Sequence, residues 1–191
     1  MSNVVSALKG ASYQGFTRVS DSGARGMITL RGDLSSAALQ KAACDLAGCD
    51  FPGKLSLTGT SESGLCWMSP DEILILCAYD TAHAATAQLT EVLKGTHDLV
   101  ANVSDARAML CLSGGDPREV LAKLSPADTA PGALEPGTLR RSRLAQVPAA
   151  FWIDETGTAY VICFRSVAQY VFDILKSAAL PGSEVGFFDL A

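Results

Sequence analysis

Charge is what this sequence lacks most. Asp, Glu, Lys and Arg make up 18% of its 191 residues, where about 25% is usual, while hydrophobic residues reach 48%. A monomer has to cover itself with polar groups, so the shortfall points to an apolar patch meant for another chain. Basic residues are the scarcer kind: 15 Lys and Arg against 20 Asp and Glu give a net charge of −5 and a pI near 4.9. Nucleic-acid binding needs clustered Lys and Arg to release counterions, and the one cluster, Arg140, Arg141 and Arg143, is too small for it. No apolar run approaches the roughly 20 residues that cross a bilayer. Met1 to Gly10 has no cleavable apolar core of a signal peptide, so a cytoplasmic chain without membrane or nucleic-acid partners is expected.

Metal and thiol chemistry find little to work with. The two histidines, His83 and His97, fall in no metal-ligand spacing, and among the six cysteines (Cys44, Cys49, Cys66, Cys77, Cys111, Cys163) there is no CxxC pair. The closest spacing, Cys44 to Cys49, is too wide for a zinc knuckle. Without an export signal these are read as reduced thiols. Cys77, Cys111 and Cys163 fall in apolar runs, where desolvation makes a thiol inert. Cys44 and Cys49 flank a helix end, but no His is placed to activate either one as a nucleophile.

What the sequence does contain is a repeat. Ile28-Thr29-Leu30-Arg31-Gly32, followed by a helix with Leu39 and Lys41, lines up with Leu110-Cys111-Leu112-Ser113-Gly114, followed by a helix with Leu121 and Lys123. The offset is 82 throughout: 30 to 112, 32 to 114, 39 to 121 and 41 to 123. Cys66-Trp67-Met68, a turn at Ser69 to Asp71 and the run Ile73 to Cys77 resemble Phe151-Trp152-Ile153, a turn at Asp154 to Gly157 and Ala159 to Cys163. Here the Trp offset is 85 (67 to 152) and the Cys offset 86 (77 to 163), as though the second turn held one extra residue.

Local signals support the same units. Asp116-Pro117-Arg118-Glu119 reads as a helix start, with Asp116 as N-cap, Pro117 at N1 and Glu119 completing a capping box. The equivalent earlier helix starts near Ser35, buries Leu39, Ala43 and Leu46, and stops at Gly48, which can turn left-handed. A second helix in each half carries an apolar stripe, Ala85, Leu89, Val92 and Leu93 in one and Val167, Tyr170, Val171, Ile174 and Leu175 in the other. Ile73-Leu74-Ile75-Leu76 and Tyr160-Val161-Ile162 predict central strands, with further strands at Leu55 to Leu57, Leu99 to Val103 and Leu139 to Leu144. Pro126 to Gly137, with three prolines and two glycines, predicts a long surface loop. The fold class is therefore α+β: one domain over 1–191, an internal duplication of a β-α-β-β-α unit with antiparallel sheets and helices packed on them. Half 1 covers about 20–100, half 2 about 101–185, and 1–19 forms a leader whose role the sequence leaves open.

No constellation of reactive groups emerges. Ser113-Gly114-Gly115-Asp116 sits between a strand and a helix, where a glycine loop can cradle phosphate, but it lacks the Lys-Ser/Thr of a P-loop and sets Asp116 where an anion would go. Asp71 and Glu72 are adjacent, a poor geometry for an acid and base pair. Trp67 and Trp152 stand at equivalent hairpin positions and read as core or interface anchors. Arg107, Arg140, Arg143 and Arg165, at strand ends, can pair with carboxylates of this chain or of a partner. No catalytic, cofactor-binding or metal-binding residue is expected.

Val103-Ser104-Asp105-Ala106-Arg107, Leu112-Ser113-Gly114, Arg118 to Lys123, Arg143-Leu144-Ala145 and Arg165 to Tyr170, with Trp67-Met68-Ser69-Pro70-Asp71-Glu72 in the first half, resemble the ordered blocks of the gamma subunit of heterotetrameric sarcosine oxidase. The resemblance covers about residues 20 to 180. It implies a duplicated fold like the folate-binding domain of the glycine-cleavage aminomethyltransferase and of TrmE-like proteins. It also implies a non-catalytic role in a complex that converts sarcosine to glycine, hydrogen peroxide and methylene-tetrahydrofolate. FAD, FMN, NAD, zinc and tetrahydrofolate would sit on the other subunits, and the partners would be the alpha, beta and delta chains. An isolated chain could pair with itself. A stand-alone folate or small-ligand binding module is the alternative.

Overall fold

A computed structural model describes residues 4–190. In chain order the elements are β1 (Ser12–Gln14), β2 (Arg18–Asp21), β3 (Gly26–Arg31), α1 (Ala37–Ala47), β4 (Leu57–Gly59), β5 (Gly64–Ser69), β6 (Glu72–Cys77), α2 (Ala82–Val92), β7 (Leu99–Asn102), β8 (Arg107–Ser113), α3 (Pro117–Ala122), β9 (Leu139–Leu144), β10 (Val147–Ile153), β11 (Ala159–Phe164) and α4 (Ala168–Ala178). They form two compact units, Arg25–Asp105 and Met1–Ala24 with Ala106–Ala191.

In the first, the sheet order is β4-β5-β6-β3-β7, every neighbouring pair antiparallel. Helices α1 and α2 pack on it, and Ile28, Leu30, Leu39, Ala43, Leu65, Ile73, Ile75 and Leu89 fill the space between. Ser36 caps α1 by accepting from the Leu39 N–H, and Gly48 ends it at φ 68, the left-handed turn expected of that glycine. Helix α2 buries Ala82, Ala85 and Leu89, with Leu93 just past its end. Val92 lies at the margin of that stripe and is 61% exposed, against expectation. The strand predicted at Leu55 to Leu57 begins only at Leu57, because Leu55 turns left-handed at φ 58 and cannot continue a pleat.

The second unit has the order β1-β2-β8-β11-β10-β9. The duplication is visible in its register. Met27, Ile28 and Leu30 pair with Leu76, Ile75 and Ile73, and residues 82 further on, Met109, Leu110 and Leu112, pair with Ile162, Val161 and Ala159, each 86 further on. β8 therefore corresponds to β3, and β9, β10 and β11 to β4, β5 and β6. The counterpart of β7 is not supplied by the second half. β2, from the beginning of the chain, takes that place beside β8, and β1 extends the sheet outward.

The loop 126–137 holds no helix or strand, as expected. It is nonetheless fastened, since Leu134 is fully buried and Arg118 donates to the carbonyls of Thr129, Ala130 and Leu134. Helix α4 buries Val171, Phe172 and Leu175, but Tyr170, 41% exposed, lies away from that stripe rather than joining it. No helix among the described residues is long and apolar enough to cross a membrane.

Candidate functional site

The arginines singled out by the sequence do not converge. Arg107 lies with its guanidinium 4.2 Å from the centre of the Phe164 ring, and Arg165 donates to the Val5 carbonyl at 3.0 Å. On β9 the pairing Arg140 with Phe151 and Ser142 with Ala149 sets both residues on the core side of the sheet. Arg140 there donates to the Ala133 carbonyl. Arg141 and Arg143 alternate onto the other side, opposite Ala150 and Pro148. Arg143 is exposed and borders an open groove of about 400 Å³ together with Pro126, Ser142, Gln146 and Pro148.

The two tryptophans are not equivalent, and this corrects the sequence alignment. With β11 matched to β6, Cys66 pairs with Leu74 and Trp152 with Tyr160, so the counterpart of Trp152 is Cys66. Trp67 packs with the helix-side core of its sheet, whereas Trp152 belongs to the opposite face, is 1% exposed and stacks on Tyr160 at 5.4 Å. The reason is a bulge at Trp67/Ser69, which absorbs the one-residue difference that the sequence assigned to the second turn.

Glu119 also departs from expectation. Asp116 caps α3 as predicted, accepting from the Glu119 N–H at 3.2 Å, with Pro117 in the first turn. The Glu119 carboxylate does not turn back to complete a capping box. It is 4% exposed, meets Lys123 at 2.9 Å, and accepts from the N–H groups of Val185 at 2.7 Å and Gly186 at 2.9 Å. Lys123 in turn donates to the carbonyls of Ser183 and Ala178 at 2.6 and 3.1 Å. Burial pushes the Glu119 carboxyl up, but these N–H donors and Lys123 outweigh it and hold the group below its ordinary value. The pair is a clasp on the segment after α4. The spacing of an i, i+4 Glu and Lys was legible; their backbone partners, more than 50 residues away, were not.

The glycine loop is a structural turn. Gly114 and Gly115 are both left-handed, at φ 67 and φ 57, and a Cβ on Gly115 would stand 2.0 Å from the Phe16 carbonyl oxygen. Asp71 pairs with Arg31 at 2.6 Å at the β5–β6 turn, while Glu72 is buried and accepts from the Thr29 hydroxyl at 3.5 Å. They point apart, as side chains one residue apart in a strand do. Burial pushes the Cys66 thiol up to about 12 and the Cys163 thiol up to about 11. Desolvation likewise raises Cys44, Cys77 and Cys111, although these three are only partly buried. None of these five is poised as a thiolate. His83 and His97 are exposed. Among the described residues no group of three or more His, Cys, Asp or Glu is arranged to hold a metal ion.

Comparison with known proteins gives the following. Residues 31–180 match the family described as sarcosine oxidase, gamma subunit family. The heterotetrameric sarcosine oxidase from Corynebacterium sp. U-96, solved in complex with pyrrole 2-carboxylate, contains a chain of the same fold: TM-score 0.78, 22% identity, covering 88% of this chain and 87% of that one. The glycine cleavage system aminomethyltransferase T from Bartonella henselae shares the fold at TM-score 0.62 and 15% identity. That match takes in 84% of this chain but only 46% of the aminomethyltransferase, so this chain spans about half of it. No match is found among curated proteins.

Proposed function

The chain belongs to the sarcosine oxidase gamma subunit family, and from that premise we propose that it serves a heterotetrameric sarcosine oxidase as a non-catalytic subunit, acting in assembly and stability. The observation that carries this reading is the family match over residues 31–180. It is supported by a composition short of charge, with exposed Val4, Val5, Phe164, Tyr170, Val185 and Phe187 in the second unit, and by desolvation that pushes up five of the six thiols. In this reading the complex works in the cytoplasm and oxidises sarcosine to glycine, hydrogen peroxide and methylene-tetrahydrofolate. FAD, FMN, NAD, zinc and tetrahydrofolate reside on the alpha, beta and delta chains, and this chain supplies contact surface to them.

The test is co-expression with and without this chain. The expected result is a complex containing all four chains, and a fall in soluble complex and in sarcosine-dependent peroxide formation when this chain is omitted. A chain that elutes as a free monomer beside a fully active complex of the other three overturns the proposal.

A further inference from the structure

β7 ends the sheet of the first unit on one side, and its hydrogen-bonding sense follows from the register. The Val103 N–H donates to the Met27 carbonyl at 2.8 Å. Main-chain groups alternate along an antiparallel ladder, so Ala101 and Leu99, paired with Thr29 and Arg31, also turn theirs toward β3. Val100 and Asn102, which alternate with them, turn their N–H and C=O groups outward. The other side of β3 agrees: the Gly32 N–H donates to the Asp71 carbonyl, so Leu30 and Ile28 face β6 and leave Arg31 and Thr29 for β7.

β2 stands in the same relation to β8. The Ser22 N–H donates to the Met109 carbonyl at 3.0 Å, as that of Val103 does to Met27. Val19 and Asp21, opposite Leu112 and Leu110, therefore correspond to Val100 and Asn102, opposite Leu30 and Ile28. In the second unit these outward groups are occupied: Tyr13 of β1 pairs with Val19, and the Asp21 N–H donates to the Ala11 carbonyl at 2.9 Å. Tyr13 packs on that core, and Val19 is fully buried. In the first unit, among the described residues, no hydrogen bond reaches the outward main-chain groups of Val100 and Asn102. Val100 is only half-buried, and Leu99 beside it is 54% exposed. The strand Leu99–Asn102 carries neither charge nor proline, the usual defences of an open edge.

We propose that the outer edge of β7 receives an antiparallel extended segment of another subunit of the oxidase, uncharged like Ser12-Tyr13-Gln14 and carrying an aromatic residue opposite Val100. The inference rests on the subunit role proposed above and names the surface and the chemistry of the partner. Main-chain bonds to Val100 and Asn102 hold the segment, and its ring gives Val100 the cover that Tyr13 gives Val19. A second copy of this chain fits the edge less well. Outward-facing residues pair with one another, so a second β7 would set Val100 or Asn102 opposite Val100, never a ring.

The experiment measures amide exchange of the full chain, free and bound to the complex of the remaining subunits, together with the affinity of V100P and V100I for that complex. In the free chain Leu99 and Ala101 are expected to be protected by β3 while Val100 and Asn102 exchange quickly, and binding is expected to slow Val100 and Asn102 by about tenfold or more. V100P removes an outward N–H where an edge strand tolerates proline, and V100I keeps it. A thermal melt of each isolated variant confirms that it folds. V100P is expected to bind about tenfold or more weakly, and V100I like the wild type. Should V100P fail to fold, the exchange pattern of the wild type decides. A bound wild type in which Val100 and Asn102 still exchange quickly, or a folded V100P that binds like the wild type, overturns the docking edge and leaves the subunit role standing. An isolated chain that self-associates with protection of Val100 and Asn102 gives the edge to a second copy and overturns the proposed partner. A wild-type chain that does not bind the complex overturns both the edge and the subunit role.

Discussion

Glu119 and Lys123 fasten the segment after α4 through three of its backbone groups, with a fourth at the end of the helix, Ala178, and the strength of that clasp depends on which carboxylate state is present. The folded Glu119 sits below its ordinary value of 4.5. A depressed carboxyl contributes its stability fully above the unfolded value and loses it as pH falls through the folded one. The protection of the Val185 and Gly186 amides, their exchange measured against its intrinsic base-catalysed rate, should therefore be high and level above about pH 5 and should fall, relative to other amides, as the solution is acidified below the ordinary value. E119Q keeps an acceptor but removes the counter-charge of the Lys123 ammonium, which is only 20% exposed and keeps its two carbonyl partners. It should lower stability by about 2 kcal/mol and abolish the acid-dependent loss of protection. Protection at the two amides that still falls on acidification in E119Q would show that another group supplies the effect. The motif Asp-Pro-x-Glu was legible as a helix start, and Asp116 and Pro117 play those parts. Glu119 was misread because a capping box and a long-range clasp have the same local sequence, and only the packed C-terminal segment distinguishes them.

At the scale of elements, the strand-to-helix turn after β8 sets the tolerance of the fold to small changes. Gly114 and Gly115 have similar left-handed dihedrals but different surroundings: nothing lies within 4 Å of a Cβ on Gly114, while one on Gly115 meets the Phe16 carbonyl oxygen at 2.0 Å and the Thr17 hydroxyl at 2.9 Å. Gly114→Ala should cost about 1–2 kcal/mol, the left-handed penalty of an L-residue. Gly115→Ala should cost about 3 kcal/mol or more, since backbone must move as well. Urea unfolding of the two variants measures the difference, and equal midpoints would refute the packing of the Phe16 segment against this turn. Strand existence was well read from apolar runs, and Leu139 to Leu144 is correct to the residue, because alternation and turn residues are local properties. Strand register was not. Matching Trp67 to Trp152 by residue type put both on one face, and the bulge before Ser69 that separates them leaves no mark in composition.

The arrangement of the whole chain follows from where the fifth strand of each sheet comes from. β7 follows α2 directly and pairs with β3. The equivalent place beside β8 is filled by Arg18–Asp21, separated from it by the entire first unit. The leader's role could not be read in the sequence, since a repeat of offset 82 aligns 31 with 113 and has no means of showing that residues before the first copy complete the second. Structurally the insertion is firm: Val19 is fully buried opposite Leu112, the Phe16 N–H donates to the Ala179 carbonyl at 3.0 Å, and Leu8 joins the same core. A fragment of residues 106–191 would expose β8 as an unpaired apolar edge and leave holes where Val19 and Leu8 pack, both strongly unfavourable. Expressed alone it should give no cooperative thermal transition. A synthetic peptide of residues 1–24 added in trans should restore one and protect the amides of β8 from exchange, because the peptide carries the missing strand pair and its apolar anchors. Should 106–191 melt cooperatively without the peptide, with β8 already protected, the second unit would be complete without the beginning of the chain, and the assignment of β2 as its closing strand would fail.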